Sequence, residues 1–147
     1  MILAHLSPLP PARSGIAHYS AMLLPELARA ASVIAVVEDD DLGAAREAAG
    51  APAWPLIGFS EYRSRRSEFD AVVYQLGNNP HHEWIYGEAM AHPGTIVLHD
   101  FVLHHLIVEM TLARGDVEGY VSAMRANHGR AGAAWARWSF ARRAAPT

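Results

Sequence analysis

The sequence contains neither cysteine nor lysine, and both absences exclude kinds of site. Without cysteine the chain forms no disulfide and offers no thiolate ligand to a metal, and its redox compartment stays undetermined. All 12 cationic side chains are arginine, and the formal net charge is only -3 at pH 7. Such a weak charge gives no electrostatic reason to expect a nucleic-acid partner.

Long apolar runs are missing as well. No stretch approaches the length of a membrane-spanning helix. The opening "MILAHLSPLPP" also lacks the basic region and the apolar core of a signal peptide. We therefore expect a cytoplasmic protein. The chain has 147 residues, of which 51% are hydrophobic, and no linker divides them. This length and composition predict a single domain, 1–147, with a core of its own.

Short apolar or β-branched runs alternate with helical patterns along the chain. Strands are predicted over 1–6, 32–37, 51–57, 70–76 and 95–99, and all of them except the third are expected to be buried. Helices are predicted over 15–31, 42–50, 58–69, 80–91, 101–115, 116–129 and 131–147. Apolar strands joined by helices indicate a parallel sheet covered on both faces. The expected fold class is α/β, a three-layer Rossmann-like parallel sheet with helices on both faces.

Three unusual segments follow the first, fourth and fifth predicted strands. They read "SPLPPARSG", "LGNNPHHEW" and "HDFVLHH". Ligands of open parallel sheets bind beyond the carboxyl ends of the strands. We therefore expect the three segments to lie together at one edge of the sheet, which we call the rim.

The first rim segment ends at Ser14 and Gly15, where a helix is predicted to begin. Ser14 can cap this helix, and Gly15 would let a ligand approach the backbone closely. A helix N-terminus also favours an anion such as a phosphate. The segment does not contain the GxGxxG pattern, and it cannot form a Walker motif because no lysine is present. A stiff proline loop with an ordinary cap is the other open interpretation.

The second rim segment contains Asn78 and Asn79, followed by Pro80. Asparagine amides can both donate to and accept from sugar hydroxyls. Ordinary turn chemistry explains the same residues, since Asn79 can cap a helix that Pro80 starts. His81 and His82 are expected to be exposed at the start of that helix, with no ligand.

The third rim segment places His99 and Asp100 at the end of a strand. Asp100 is a natural N-cap for a helix that begins at Phe101, whereas His99 would lie within reach of a ligand. A metal site using His99, Asp100 and His104 is an alternative, because histidine and carboxylate are common metal ligands. The H-D-x-x-x-H-H spacing does not match the HExxH pattern, in which both histidines lie on one helix face. No metal site is predicted.

The same segments carry a resemblance to a known family. "PLPPARSGIAHYSAMLLPELA" resembles the opening of the family 4 glycosyltransferases, bacterial enzymes of the GT-B fold. "YQLGNNPHHEWIYGEAMAHPGTIVLHDFVLHHL" is similar to a later part, where the family shows Y-Q-x-G-N-N, a helix and then V-x-H-D. The resemblance extends from residue 1 to about residue 130.

The resemblance implies a transferase that moves a sugar from a nucleotide-sugar donor to an acceptor with retention of configuration. The nucleotide sugar is then a substrate, and no cofactor is expected. In such enzymes the amino-terminal domain mainly holds the acceptor. Carried over, Ser14 and Gly15 face the donor diphosphate and the acceptor, and Asn78 and Asn79 line the cleft. His99 is implied to hydrogen-bond the donor sugar near the reacting carbon, with Asp100 beside it as the second catalytic residue.

One departure from the family concerns the donor-binding domain. No second Rossmann unit and no E-x7-E pattern follows, so the chain is expected to be an incomplete GT-B amino-terminal domain, inactive by itself. Its expected partners are the sugar acceptor, the nucleotide sugar and that absent domain, and the resemblance leaves room for peripheral membrane association of the full enzyme. The alternatives are a stand-alone Rossmann-type binding module without catalysis and a metal-dependent hydrolase using His99, Asp100 and His104.

Overall fold

In a computed structural model, the chain folds around five parallel strands that alternate with helices. The structure describes residues 1–144, and it describes side chains up to residue 141. The strands are β1 (Ile2–Leu6), β2 (Ser32–Val37), β3 (Leu56–Gly58), β4 (Ala71–Leu76) and β5 (Thr95–Leu98). The helices are α1 (Gly15–Ala30), α2 (Leu42–Ala49), α3 (Phe59–Ser64), α4 (Glu83–Ala91), α5 (His104–Met110) and α6 (Val117–Ala144). Short 3-10 turns cover Asp39–Asp41, Arg66–Glu68, Pro80–His82 and Leu112–Arg114.

The sheet has the strand order β3-β2-β1-β4-β5, and every neighbouring pair is parallel. The chain therefore winds outward in one direction from β1 to β3 and then returns to pair β4 on the other side of β1. This reversal between β1 and β4 is the position where open α/β sheets form their ligand crevice. The predicted α/β, Rossmann-like fold class is confirmed.

One face of the sheet packs against α1 and α2. Leu3, Val33 and Ala35 point to this face and form a core cluster with Leu24 of α1 and Ala45 of α2. Alternate residues of a strand point to opposite faces, so the intervening positions of β1 serve the other layer.

The opposite face packs against α3 and α4. Leu6 and Tyr74 of the sheet form a second core cluster with Tyr62 of α3 and Ile85 of α4. Burial of a large apolar side chain contributes about 1.5–3 kcal/mol, so the two clusters hold helices on both sides of the sheet. This is the three-layer arrangement that the strand pattern predicts.

The fifth strand differs from its prediction, because it is not buried. Ile96 and Leu98 of β5 are 51% and 50% exposed. β5 forms one edge of the sheet and pairs only with β4 among the strands of residues 1–144. The apolar run thus predicts the strand correctly, but it does not predict how much of the strand is buried.

Several predicted boundaries also shift. The third strand shrinks to three residues, and the helix predicted from Phe101 begins only at His104. The predicted helix ends at residues 50, 115 and 129 fall on Gly50, Gly115 and Gly129, which have positive φ angles of 65°, 78° and 64°. Gly129 interrupts α6, as the two separately predicted helices require. The last predicted helix is seen as far as Ala144, and its remaining three residues lie outside the described part.

The amino ends of the strands lie at the edge of the sheet opposite the rim. There the Asp70 carboxylate, next to the start of β4, accepts a hydrogen bond of 2.7 Å from the backbone N–H of Ile2. It also lies 3.8 Å from the N-terminal amine of Met1. This contact ties the first residues of β1 to its neighbour.

The described chain divides into two compact units. The first comprises Met1–Val102 and contains the whole sheet with α1 to α4, whereas the second begins at Leu103 and contains α5 and α6. The second unit has its own small cluster, in which Tyr120, Val121, Ala133 and Ala136 are buried. Within residues 1–144, none of the helices is long and apolar enough to cross a membrane. The single domain over 1–147 stays a prediction.

Candidate ligand-binding rim

Gly77, the first residue after β4, shows that the three rim segments lie together. A Cβ atom on Gly77 would collide with Cδ1 of Ile16 in the first turn of α1. It would also lie 3.0 Å from Nε2 of His82 and 3.3 Å from Oδ2 of Asp100. The segments that follow β1, β4 and β5 therefore meet at the carboxyl end of the sheet, as their positions in the sequence predict.

The start of α1 has the capped form that Ser14 predicts. The Ser14 hydroxyl accepts hydrogen bonds from the N–H groups of Ile16 and Ala17, at 3.1 and 3.2 Å. These are two of the N–H groups that a helix N-terminus leaves unpaired, so the cap satisfies them internally. Gly15 stands in open surroundings, because a Cβ placed on it would meet no atom within 4 Å.

Asn79 also takes the capping role that its position predicts. Its side-chain oxygen accepts a hydrogen bond of 3.0 Å from the N–H of His81, and Pro80 occupies the first position of the 3-10 turn that follows. Asn79 is therefore engaged in local structure, whereas the preceding Asn78 joins two rim segments through its backbone.

The predicted helix-capping role of Asp100 is wrong. The next helix begins at His104, four residues beyond it, and Leu103 occupies its N-cap position. Its carboxylate instead accepts a hydrogen bond of 2.7 Å from the backbone N–H of Asn78. Asp100 thus links the segment after β5 to the segment after β4.

His99 lies at the rim and is exposed, as predicted for a residue that meets a ligand. Its backbone N–H donates to the carbonyl of Leu76 at 2.8 Å, which extends the pairing of β5 with β4 by one residue. The ring Nε2 lies 2.7 Å from the side-chain oxygen of Gln75. The ring also packs edge-on against Tyr19 of α1, with 5.0 Å between the centroids. His99 therefore contacts both β4 and α1.

The predicted exposure of His82 is wrong, although that of His81 is confirmed. His82 is fully buried, and its Nδ1 lies 2.9 Å from the backbone carbonyl of Gln75. The other ring nitrogen, Nε2, finds no hydrogen-bond partner among the described residues. Burial lowers the pKa of His82, so the ring is neutral at neutral pH. Adjacent histidines gave no signal that one of them would turn into the core.

A set of buried polar side chains behind the rim was not predicted from the sequence. His5 and Gln75 are fully buried within β1 and β4, and Ser7 follows β1. The Ser7 and Ser20 hydroxyls lie 2.7 Å apart, which ties the end of β1 to α1. Polar residues inside otherwise apolar strands were the available signal. Burial of a polar side chain costs free energy unless the side chain is hydrogen-bonded. A polar residue inside an apolar strand therefore predicts that polar groups lie near it.

The metal-site alternative requires His99, Asp100 and His104 to converge. Among the described residues, no group of three or more histidine and carboxylate side chains is arranged to hold a metal ion. His104 belongs to the second compact unit, where its Nε2 lies 3.5 Å from the Tyr120 hydroxyl. The metal-dependent hydrolase is therefore without geometric support.

Comparisons with protein-family models, with curated proteins and with solved structures found no match.

Proposed function

We propose that this chain is the acceptor-side domain of a retaining glycosyltransferase, which transfers a sugar from a nucleotide-sugar donor to an acceptor. The proposal is carried by one observation, the meeting of the segments after β1, β4 and β5 around Gly77. That meeting puts Gly15, Asn78 and His99, the residues that the resemblance assigns to the cleft, on neighbouring parts of one rim. If these segments lay far apart, the proposal would rest on the sequence resemblance alone.

The chemistry of the rim suits a sugar, because sugar hydroxyls both donate and accept hydrogen bonds. Asp100 offers a carboxylate, His99 an imidazole and Asn78 an amide, and all three are at least partly exposed. In the transfer, positive charge builds on the sugar carbon and negative charge on the departing diphosphate. Polar groups held in place by α1, β4 and β5 can stabilise such charge without reorganising during the reaction. In this proposal His99 and Asp100 act next to the reacting carbon.

The cap at α1 makes a hydroxyl a better ligand than a phosphate at this helix start. Ser14 already accepts from the N–H groups of Ile16 and Ala17, which a phosphate would otherwise use. Gly15, by contrast, lets a ligand lie directly on the backbone. We therefore expect the diphosphate to be held mainly by cationic residues of a donor-binding domain, and this rim to hold sugar.

A matched pair of glycine variants tests binding at the rim. Gly15→Ala adds a methyl group where the protein itself has room, and Gly43→Ala does the same on α2, away from the rim. Neither change should lower the free energy of unfolding, and each is expected to raise it by up to about 1 kcal/mol. Only Gly15→Ala should weaken binding of UDP-glucose or GDP-mannose, by about tenfold or more, because its methyl group displaces the ligand.

Binding can be followed by NMR titration of the ¹⁵N-labelled chain, with chemical-shift changes expected at Gly15, Asn78 and His99. Equal affinities of the Gly15→Ala and Gly43→Ala variants would exclude ligand contact at the start of α1. An absence of shifts at all three rim residues, both in this chain and in the chain joined to a donor-binding domain of the family, would overturn the proposal.

Turnover separates the transferase from a stand-alone binding module, which would bind sugar without catalysis. The chain is joined to a donor-binding domain of the family, and transfer from UDP- or GDP-sugars is measured. His99→Ala should then lose most of the activity, whereas His18→Ala, which removes an exposed histidine of α1, should retain it. Rim binding without any turnover would favour the binding module.

A further inference from the structure

The side chain of Gln75 reaches from the buried part of β4 to the ring of His99. Gln75 is fully buried, and its Oε1 lies 2.7 Å from Nε2 of His99. An amide oxygen can only accept a hydrogen bond, so the ring nitrogen that faces it must carry the proton. In a neutral imidazole the other nitrogen, Nδ1, is then unprotonated and accepts hydrogen bonds.

The position of Gln75 suits it to hold another side chain in place. It lies in β4, between β1 and the edge strand β5, next to Leu76, whose carbonyl accepts the backbone N–H of His99 at 2.8 Å. His99 is therefore held by β4 twice, through its main chain and through its ring. The edge-on contact with Tyr19, at 5.0 Å, further restricts the orientation of the ring.

We propose that Gln75 is a positioning residue that fixes the proton of His99 on Nε2 and so presents Nδ1 as a hydrogen-bond acceptor for a ligand hydroxyl. The ligand part of this inference rests on the proposed function. The part that concerns the tautomer does not, since it follows from the contact between Gln75 and His99.

His82 is expected to have the tautomer opposite to that of His99, and it therefore serves as an internal reference. Its Nδ1 lies 2.9 Å from the backbone carbonyl of Gln75, and a carbonyl also only accepts. The proton of neutral His82 is therefore on Nδ1, whereas that of His99 is on Nε2. The two rings are expected to give opposite ¹⁵N shift patterns in one spectrum, with the His99 signals identified by their loss in His99→Ala.

The unaltered chain and two variants at residue 75 test the tautomer of His99 by ¹⁵N NMR in alkaline buffer, where the rings are neutral. In the unaltered chain His99 should show the Nε2–H form. Gln75→Glu keeps an acceptor and should keep that form. Gln75→Met is close in size but has no acceptor, so His99 should become a mixture of both forms. His82 should stay unchanged throughout, because its partner is a backbone carbonyl.

Two results would overturn the inference. If the Gln75 amide group presents its NH₂ to His99, the unaltered chain shows the Nδ1–H form and Gln75→Glu switches it. If His99 keeps one tautomer in Gln75→Met, residue 75 does not control the ring. Circular dichroism and urea unfolding of each variant show that the comparison is made between folded proteins.

The ligand part is tested on the same variants by titration with UDP-glucose and GDP-mannose. Gln75→Met should weaken binding about threefold to tenfold, the factor that one neutral hydrogen bond contributes, and Gln75→Glu should restore most of it. A tautomer that responds as expected while affinity does not change would contradict the ligand contact of His99 and leave the positioning role intact. A tautomer that does not respond contradicts the positioning role itself.

Discussion

His5 is the buried residue whose chemistry departs most from its surroundings. It lies in the central strand β1, it is fully buried, and neither ring nitrogen has a hydrogen-bond partner among the described residues. Burial lowers the pKa of His5 to about 4 from its ordinary value near 6.5. The folded protein therefore keeps this ring neutral over a range in which the unfolded chain protonates it.

The free energy of unfolding should fall as the pH decreases from about 6.5 to about 4. In this window the unfolded state binds a proton that the folded state does not, and the total effect is up to about 3 kcal/mol for His5. His5→Leu should remove this part of the decline, whereas His18→Leu on the exposed surface of α1 should leave it unchanged. Urea unfolding over a pH series measures it. Equal pH dependence of the two variants would contradict the assignment to His5.

At the level of single residues, local capping chemistry was predictable and burial was not. Ser14 and Asn79 accept hydrogen bonds from the backbone two residues ahead, as their spacing implies. Asp100 failed as a cap because the cap depends on where the helix starts, and that start is set by the surrounding fold. The burial of His82 depends on how its 3-10 turn packs against β4, which two adjacent histidines do not reveal.

At the level of elements, the end of β4 is packed closely against the start of α1. Gly77 has no positive φ angle, so its backbone conformation would accept a side chain. The obstacle is Ile16, whose Cδ1 occupies the space that a Cβ on Gly77 needs. The approach of α1 to β4 thus depends on the absence of a side chain at one position.

Gly77→Ala should therefore lower the free energy of unfolding by about 1–3 kcal/mol. Ile16→Val removes the colliding Cδ1 and should cost about 0.5–1.5 kcal/mol alone. The double variant should lose less free energy of unfolding than the two single variants lose together, because the smaller residue makes room for the new methyl group. A double-mutant cycle by urea unfolding measures this coupling. Strict additivity would show that the two elements do not constrain each other at Gly77.

The succession of elements was predictable from apolar periodicity, and the position of a strand in the sheet was not. The boundaries of β2 agree with 32–37, and β1 and β4 are each shorter by one residue at the start. β5 was expected to be buried because its residues are apolar, yet its exposure is decided by what lies beside it in space. Ile96 and Leu98 leave apolar surface at this edge of the sheet.

At the level of the whole molecule, the chain separates into compact units just after the rim. The division follows Val102, and 99–103 contain neither helix nor strand. Phe101 in this stretch is 99% exposed. The backbone here is accessible, whereas the other exposed aromatic side chains lie on helices, whose hydrogen bonds protect them from proteases.

Chymotrypsin should consequently cut first after Phe101 and release a fragment of residues 1–101 that contains all five strands. Phe101→Ala should slow this cleavage without changing the circular dichroism spectrum. Mass spectrometry of a short time course identifies the first product. Initial cleavage at Trp135 or Trp138 would show instead that α6 opens more readily than the junction.

The N-terminal amine held near Asp70 has a practical consequence, because this sequence contains no other primary amine. Amine-reactive dyes and coupling surfaces would attach at Met1 alone, at the start of β1. The candidate sugar site lies at the far ends of the strands. A biosensor or a single-fluorophore assay prepared in this way would hold every molecule in one orientation, with the site facing the solution.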